Sequence, residues 1–176
     1  MRATRARRQA ASHLAHLGVV GLLRTVDVVR RFLARVVEPH GITLQQFNVL
    51  RILRGAERAG EAQGLPTLEL ADRMLERAPG ITRLLDRLEK KRLVERRRCP
   101  RDRRQVLCRI APNGLTLLGR LERPMAQADA DCLGMLDDRQ LRSLLGLLGA
   151  VQAGHQEPSR PEPGRGRRAP SNQGER

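Results

Sequence analysis

The spacing of apolar residues constrains the fold of this chain more than any other feature of its sequence. Over residues 13–154 they recur mostly three or four positions apart, the period of α-helices that each bury one face. A length of 176 residues suits one ordinary domain, so a single compact domain is expected over this range. Residues 1–12 form a basic extension, and residues 155–176 form a tail rich in Pro, Gly and Arg with almost nothing to bury. Both ends are therefore expected to be disordered.

Several helices carry recognisable start and stop signals. The first is expected over about residues 14–38, where it meets Pro39. Thr43 and Gln46 have the spacing of a capping box, so a second helix is expected to begin there. Thr67 is expected to cap a short third helix. Further helices are expected at about residues 80–92, 113–133 and 137–151, the last with Asp137 as its cap.

One stretch departs from the helical period. Val106, Cys108 and Ile110 alternate with the residues between them, which is typical of a strand buried on one side. Residues 93–98 are able to pair with this strand across a loop at 99–104. A hairpin directly after two short helices is the arrangement of a winged helix-turn-helix. The sequence therefore predicts a mainly α-helical fold with a small β-hairpin that forms the wing.

Positive charge is concentrated in the same part of the chain. The formal net charge is +15, and residues 78–110 hold twelve Lys or Arg against four Asp or Glu, a net of +8. Residues 111–154 have a net charge of −1. Such an uneven distribution predicts a polyanionic partner. Phe32 and Phe47 are the only aromatic residues, too few for the base stacking of single-strand and RNA-binding proteins, so double-stranded DNA is the expected partner.

The fourth helix separates its apolar residues from its charged ones. On a helical wheel four apolar residues share one side and are expected to face the core, namely Ile81, Leu84, Leu85 and Leu88. A solvated surface is the ordinary explanation of a charged face, but the basic hairpin directly downstream favours binding in the major groove of DNA. There an arginine can donate two hydrogen bonds to a guanine edge. The residues expected to contact DNA are Thr82, Arg83, Asp86, Arg87 and Lys90.

The loop of the hairpin is also basic. Wings of this kind insert an arginine into the narrow and strongly negative minor groove. Arg101 and Arg103 are the expected contacts. Asp102 lies between them, and we expect it to pair with Arg104 across the loop and so to hold the tip of the wing rigid.

Five stretches of the sequence resemble the MarR family of bacterial transcriptional regulators, over about residues 14–152. They are LQQFNVL at 44–50, LELA at 68–71, ITRLLDRLE at 81–89, LVER at 93–96 and DRR at 102–104. The resemblance implies a homodimer built by long N- and C-terminal helices, at about 14–38 and 113–151, around a winged helix-turn-helix core at about 43–110. It also implies a repressor that binds a pseudo-palindromic operator and is released by a small-molecule effector or an oxidant. The half-sites should lie about one helical turn apart.

Two positions depart from the pattern of that family. Arg92 stands where members usually carry Gly after the recognition helix, so the turn must form without the residue that best tolerates a left-handed backbone. Ala111, followed by Pro112, stands where members usually carry a capping Thr, and Ala is a poor cap. Neither departure removes an expected DNA contact.

The three cysteines leave further hypotheses open. An odd number with no disulfide spacing favours a reducing compartment, and a cytoplasmic location is expected. Cys99 and Cys108 flank the wing among many arginines, which would favour oxidisable thiolates and a redox-sensing regulator acting through Cys99 above all. Against this, Cys108 is in phase with the core residues of its strand.

Another alternative is an architectural protein that binds duplex DNA without sequence preference.

Other classes of function have little support in the sequence. His13 and His16 are three residues apart on a helix, but no complementary ligands follow at a suitable spacing, so no metal is expected. The sequence has no phosphate-binding loop, nucleophile motif or pair of catalytic carboxylates, so neither an enzyme nor a bound cofactor is expected. It also has no apolar run of the roughly 18 residues that a membrane span needs, and no membrane partner is expected.

Overall fold

The computed structural model of the chain describes residues 2–61, 63–74 and 80–155, with side chains from residue 12 onward. In these ranges the helices are α1 (Arg2–Val37), α2 (Leu44–Arg58), α3 (Thr67–Asp72), α4 (Ile81–Lys90), α5 (Pro112–Leu133) and α6 (Asp138–Ala153). The strands are β1 (Leu65–Pro66), β2 (Val94–Arg98) and β3 (Val106–Ile110). The mainly α-helical fold with a β-hairpin is therefore confirmed. The chain divides after Gly134 into two compact units, the first with α1 to α5 and the sheet, the second with α6.

Helix α1 is longer than the sequence predicted. It begins at Arg2 and so includes nearly all of the segment 1–12, for which we expected disorder. Residues 2–12 are mostly Ala and Arg, without Pro or Gly, and both have high helix propensity even where there is little to bury. The helix ends at Val37 and is followed by a 3₁₀ turn at Glu38–His40. Of the tail at 155–176, all but the first residue lies outside the described residues.

Two helices begin with capping boxes, at the two cap residues that the sequence predicted. The Thr43 hydroxyl oxygen accepts a hydrogen bond from the Gln46 amide at 3.2 Å, and the Gln46 side chain accepts one from the Thr43 amide at 3.0 Å. Asp137 and Gln140 form the same pair of bonds at the start of α6, at 2.8 and 2.9 Å. Both predictions succeed because a capping box depends only on residues three positions apart.

The prediction that Thr67 caps α3 is wrong. Thr67 is the first residue of the helix, and Pro66 precedes it without a capping hydrogen bond. The Thr67 hydroxyl instead donates to the Val106 carbonyl oxygen at 3.2 Å, and it lies 3.6 Å from the Cys108 sulfur. The reason is β1, a two-residue strand that pairs with β3 directly before α3 and brings Thr67 against the hairpin. The helix-turn-helix is thus attached to the wing at its first residue.

The sheet is antiparallel with the order β1-β3-β2. Strand β2 pairs with β3 along its whole length, with Arg96 opposite Cys108, so the predicted hairpin is confirmed. The predicted alternation on β3 is only partly right: Val106 is 36% exposed, whereas Leu107 is only 5% exposed. Because β3 is the central strand, Leu107 has a neighbour on both sides, Pro66 on β1 and Arg97 on β2. A strand flanked at both edges has little exposed surface even on its outer face.

The junction between α4, β2 and α5 is closely packed. Arg92 has φ +56°, so the turn after α4 is left-handed without a glycine, as the sequence implied. Ala111 precedes α5, and its side chain makes no capping hydrogen bond, which confirms the expectation that it is a poor cap. A Cβ on Gly114 would lie 2.4 Å from the Leu93 carbonyl oxygen, so α5 packs directly against the base of the hairpin.

One core joins the helix-turn-helix to the hairpin. Helices α2 to α5 and all three strands contribute buried apolar side chains, so none of these elements packs separately. The largest fully buried ones are Leu50, Leu65, Leu70, Leu85, Leu88, Ile110, Leu118 and Leu121. This shared core places α4 beside the hairpin.

Candidate nucleic-acid interface

Helix α4 presents one charged face to solvent. Its side chains Leu85 and Leu88 are fully buried, as the helical wheel predicted. Arg83 and Arg87 are exposed on the other side. Together with Lys90 they have no ionic or hydrogen-bonding side-chain partner among the described residues. Thr82 is exposed beside them.

Asp86 differs from the other residues expected on this face. Its carboxylate accepts a hydrogen bond from the Arg96 guanidinium on β2 at 2.6 Å. Arg96 also donates two hydrogen bonds to Glu89, at 2.9 and 2.5 Å. The hydrogen bond to Glu89 is the main reason why the pKa of Arg96 is raised, with burial opposing it and Asp86 adding to it. Asp86 is therefore joined to the hairpin and is not free like Arg83 and Arg87.

The tip of the wing is braced by Asp102, but not in the way that the sequence suggested. The Arg104 backbone amide donates to the Asp102 carboxylate at 3.0 Å, and the Gln105 side-chain amide donates to it at 3.1 Å. No ion pair between Asp102 and the Arg104 guanidinium is found in the described residues. An aspartate side chain is short and readily accepts from the amide two residues ahead, which is a common turn geometry. The guanidinium groups of Arg101, Arg103 and Arg104 therefore remain exposed.

A second contact anchors the hairpin from the opposite side. Arg97 on β2 donates to the Gln63 carbonyl oxygen at 3.0 Å and to its side-chain oxygen. Gln63 belongs to the loop before β1. Neither this contact nor the ion pairs of Arg96 were predicted, because each joins residues that are distant in sequence and no local pattern marks the partners.

Comparison with known proteins identifies the family. The sequence profile described as "MarR family" matches residues 42–106, which include α2, the helix-turn-helix and most of the hairpin. A solved MarR transcription factor from Planctomyces limnophilus is 36% identical, with a TM-score of 0.59 over 77% of this chain and 95% of that one. The chain belongs to the MarR family. A variant of MarR from E. coli, solved in complex with operator DNA, is 26% identical, with a TM-score of 0.68 over 79% of this chain and 95% of that one.

Relatives known by sequence agree with this membership. The HTH-type transcriptional regulator PecS of Dickeya dadantii is 25% identical over 135 residues, which cover 76% of this chain and 80% of that protein. This MarR-family protein is therefore a transcriptional regulator with a winged helix fold and not an enzyme.

The three cysteines of this MarR-family protein are free thiols. Cys108 is fully buried, and burial raises the pKa of its thiol, while the Thr67 hydroxyl and the Arg96 guanidinium partly oppose this shift. The neutral thiol is thereby favoured over the reactive thiolate. Cys99, at the start of the wing loop, and Cys132, near the end of α5, are half-buried.

The structure offers no metal centre or membrane span in the part of the chain that it describes. Among the described residues, no group of three or more His, Cys, Asp or Glu side chains lies close enough to hold a metal ion. His13 and His16 on α1 are exposed. No helix in the described ranges is both long and apolar enough to cross a membrane.

Proposed function

We propose that this MarR-family protein binds one double-stranded operator as a homodimer and represses transcription from it. The observation that carries this proposal is the set of exposed cations on α4 and at the wing tip, which have no ionic or hydrogen-bonding side-chain partner among the described residues. Both elements pack on one shared core. Cations without protein partners bind phosphates and release counterions without first breaking an ion pair. The solved complex of E. coli MarR with operator DNA supports a partner of this kind.

The residues of α4 would contact the major groove. Arg83 and Arg87 would donate to base edges and so select the sequence. Thr82 and Lys90 would contact backbone phosphates and so fix the position of the helix. Asp86 would act through Arg96, since its carboxylate already has that partner.

The wing would contact the adjacent minor groove. Arg101 and Arg103 are exposed on either side of Asp102, which ties down the backbone of the loop. A loop held in one conformation loses less entropy when its arginines enter the groove. Arg104 contributes its backbone amide to this brace, and it is proposed as part of the wing's support.

Exposed apolar side chains support the homodimer. Two helices carry large apolar residues that are at least half exposed in the single chain, and surfaces of this kind mark protein interfaces. We propose that a second copy covers them and that its two-fold symmetry is matched by a pseudo-palindromic operator. They are Leu14, Leu17, Val19, Leu23, Val26 and Val28 on α1, and Leu145, Leu147 and Val151 on α6.

A cavity of about 360 Å³ beside the end of α4 supports a small-molecule effector. Apolar and polar side chains line it together with three basic and no acidic ones, which suits an anionic ligand with an apolar body. Lys91 directly follows α4, so a bound ligand would act next to the recognition helix. The lining residues are His40, Ile42, Lys91, Leu93, Asn113, Thr116, Leu117 and Arg120. Release of the operator by oxidation of Cys108 has no support, because the side chain of Cys108 is fully buried. The protein is proposed to act in the cytoplasm.

Selection of bound duplexes from a random pool tests this function. One motif with two related half-sites should be enriched, and its affinity should exceed that of unrelated duplexes by about 10³-fold or more. Arg83→Ala and Arg87→Ala should lower this preference, whereas Arg103→Ala should weaken binding to all duplexes more evenly and reduce the salt dependence.

Arg123→Ala is a matched control, since Arg123 is exposed on α5 and carries the same charge. It should leave the preferred sequence unchanged. If no motif is enriched and all duplexes bind equally, the protein is an architectural DNA-binding protein and the proposed function is wrong.

A further inference from the structure

Arg96 joins the recognition helix to the wing. Its side chain leaves β2 and binds two carboxylates on α4, Asp86 at 2.6 Å and Glu89 at 2.5 and 2.9 Å. Asp86 and Glu89 are three residues apart, so they lie on one side of the helix. One guanidinium thus contacts two successive turns of α4, a geometry that restricts sliding and rotation of the helix against the strand.

The surroundings of Arg96 differ from those of the cations proposed to bind DNA. Its side chain is only 23% exposed, whereas Arg83, Arg87 and Arg103 are exposed and unpaired among the described residues. Its backbone is held in the hairpin opposite Cys108, which is fully buried. Arg96 is therefore anchored at its backbone by the sheet and at its guanidinium by α4.

The covalent link between α4 and β2 is short. Only residues 91–93 separate the two elements, and the turn passes through the left-handed backbone of Arg92. On the far side of the hairpin, Arg97 contacts Gln63 and not α4. Among the described side chains, Arg96 alone forms ion pairs between β2 and α4.

We propose that Arg96 is a positioning residue, which sets the angle between α4 and the wing so that both contact the same operator at once. This inference rests on the proposed function. Two contact sites on one protein bind the same DNA tightly only when their relative position matches that DNA. Variation in this relative position lowers the effective concentration of the second site. Arg96 also neutralises carboxylates that would otherwise face the phosphates without a partner.

The readout is the ratio of operator affinity to random-duplex affinity, at one salt concentration. Arg96→Ala should lower this ratio by about tenfold, because specific binding needs both contacts and non-specific binding does not. The double variant Asp86→Asn with Glu89→Gln breaks the same contact from the helix side and should lower the ratio by a similar factor. Adding Arg96→Ala to the double variant should change it no further, because interacting residues are not additive.

Arg98→Ala is the matched control. Arg98 lies two residues along the same strand, so it carries the same charge on the same face, and it is exposed without a partner in the described residues. Loss of the Arg98 side chain should weaken binding to the operator and to random duplexes by the same factor, so the ratio of the two affinities should not change. Thermal unfolding of each variant checks that it is folded. If Arg96→Ala does not fold, the affinity ratio measured for the near-isosteric double variant decides whether the contact positions α4.

Three outcomes would overturn the proposal. An unchanged ratio in folded Arg96→Ala, with only a lower melting temperature, means that Arg96 has a structural role alone. A further loss when Arg96→Ala is added to the double variant means that Arg96 contacts DNA directly. A wild-type ratio near one, in contrast, means that the proposed operator binding itself is wrong, and the positioning role is lost with it.

Discussion

The turn between α4 and β2 contains a strained backbone conformation at Arg92, and a glycine at this position would remove the strain. Arg92 has φ +56°, a region that costs an L-residue roughly 1–2 kcal/mol. Glycine adopts it freely, but it has roughly 0.5–1 kcal/mol more unfolded-state entropy to lose. The difference predicts that Arg92→Gly raises the free energy of unfolding by about 0.5–1 kcal/mol.

Little else in the structure opposes this gain. The side chain of Arg92 is exposed and has no ionic or hydrogen-bonding partner in the part of the chain that is described. The hydrogen bonds of the turn run from the Arg92 amide to the Glu89 carbonyl at 2.8 Å and from the Leu93 amide to the Leu88 carbonyl at 3.0 Å. Both are backbone bonds, so the substitution leaves them in place.

Urea denaturation measures the change. Protein concentration must be the same for every variant, because the apparent stability of a dimer depends on it. Arg92→Ala is the matched control, since it removes the same charge and side chain but keeps a Cβ in the left-handed region. The gain should appear in Arg92→Gly and not in Arg92→Ala. Equal free energies of unfolding for the two variants would refute the reasoning.

Three further predictions follow from single contacts. Gly114→Ala should lower the free energy of unfolding by about 1–3 kcal/mol, because its Cβ would lie 2.4 Å from the Leu93 carbonyl oxygen; an unchanged urea midpoint contradicts this. Cys108 should react with a thiol reagent far more slowly in the folded protein than in urea, because burial raises its thiol pKa and hides it; equal rates would contradict the burial. Asp102→Ala should speed amide hydrogen exchange at Arg104 about fivefold, for about 1 kcal/mol of lost hydrogen bond, while Asp102→Asn keeps the acceptor and should not.

The features that sequence predicted correctly depend on neighbours along the chain. The Thr43 capping box and the separation of Leu85 and Leu88 from Arg83 on α4 follow from spacings of three or four residues. In both cases the local backbone geometry decides which side chains meet. The left-handed turn at Arg92 was expected on another ground, because members of the MarR family usually carry Gly at this position.

The features that sequence missed depend on contacts between distant segments. Strand β1 has only two residues and exists because β3 pairs with it. The same pairing moves Thr67 from the expected cap to a contact with Val106. The ion pairs of Arg96 depend on how the hairpin lies against α4, which no spacing within either element reveals. The start of α1 was missed for a different reason, because its Ala and Arg residues have high helix propensity although they offer no apolar face to bury.

We propose that a homodimer reads two half-sites with two winged lobes, and half-site spacing tests this proposal most directly. Once selection has given the operator, about five base pairs are inserted between its halves, which turns them to opposite faces of the helix. Fluorescence anisotropy at fixed salt should then show that affinity falls to that of a single half-site, while point changes outside the half-sites have little effect. Affinity that does not depend on the spacing would contradict the claim.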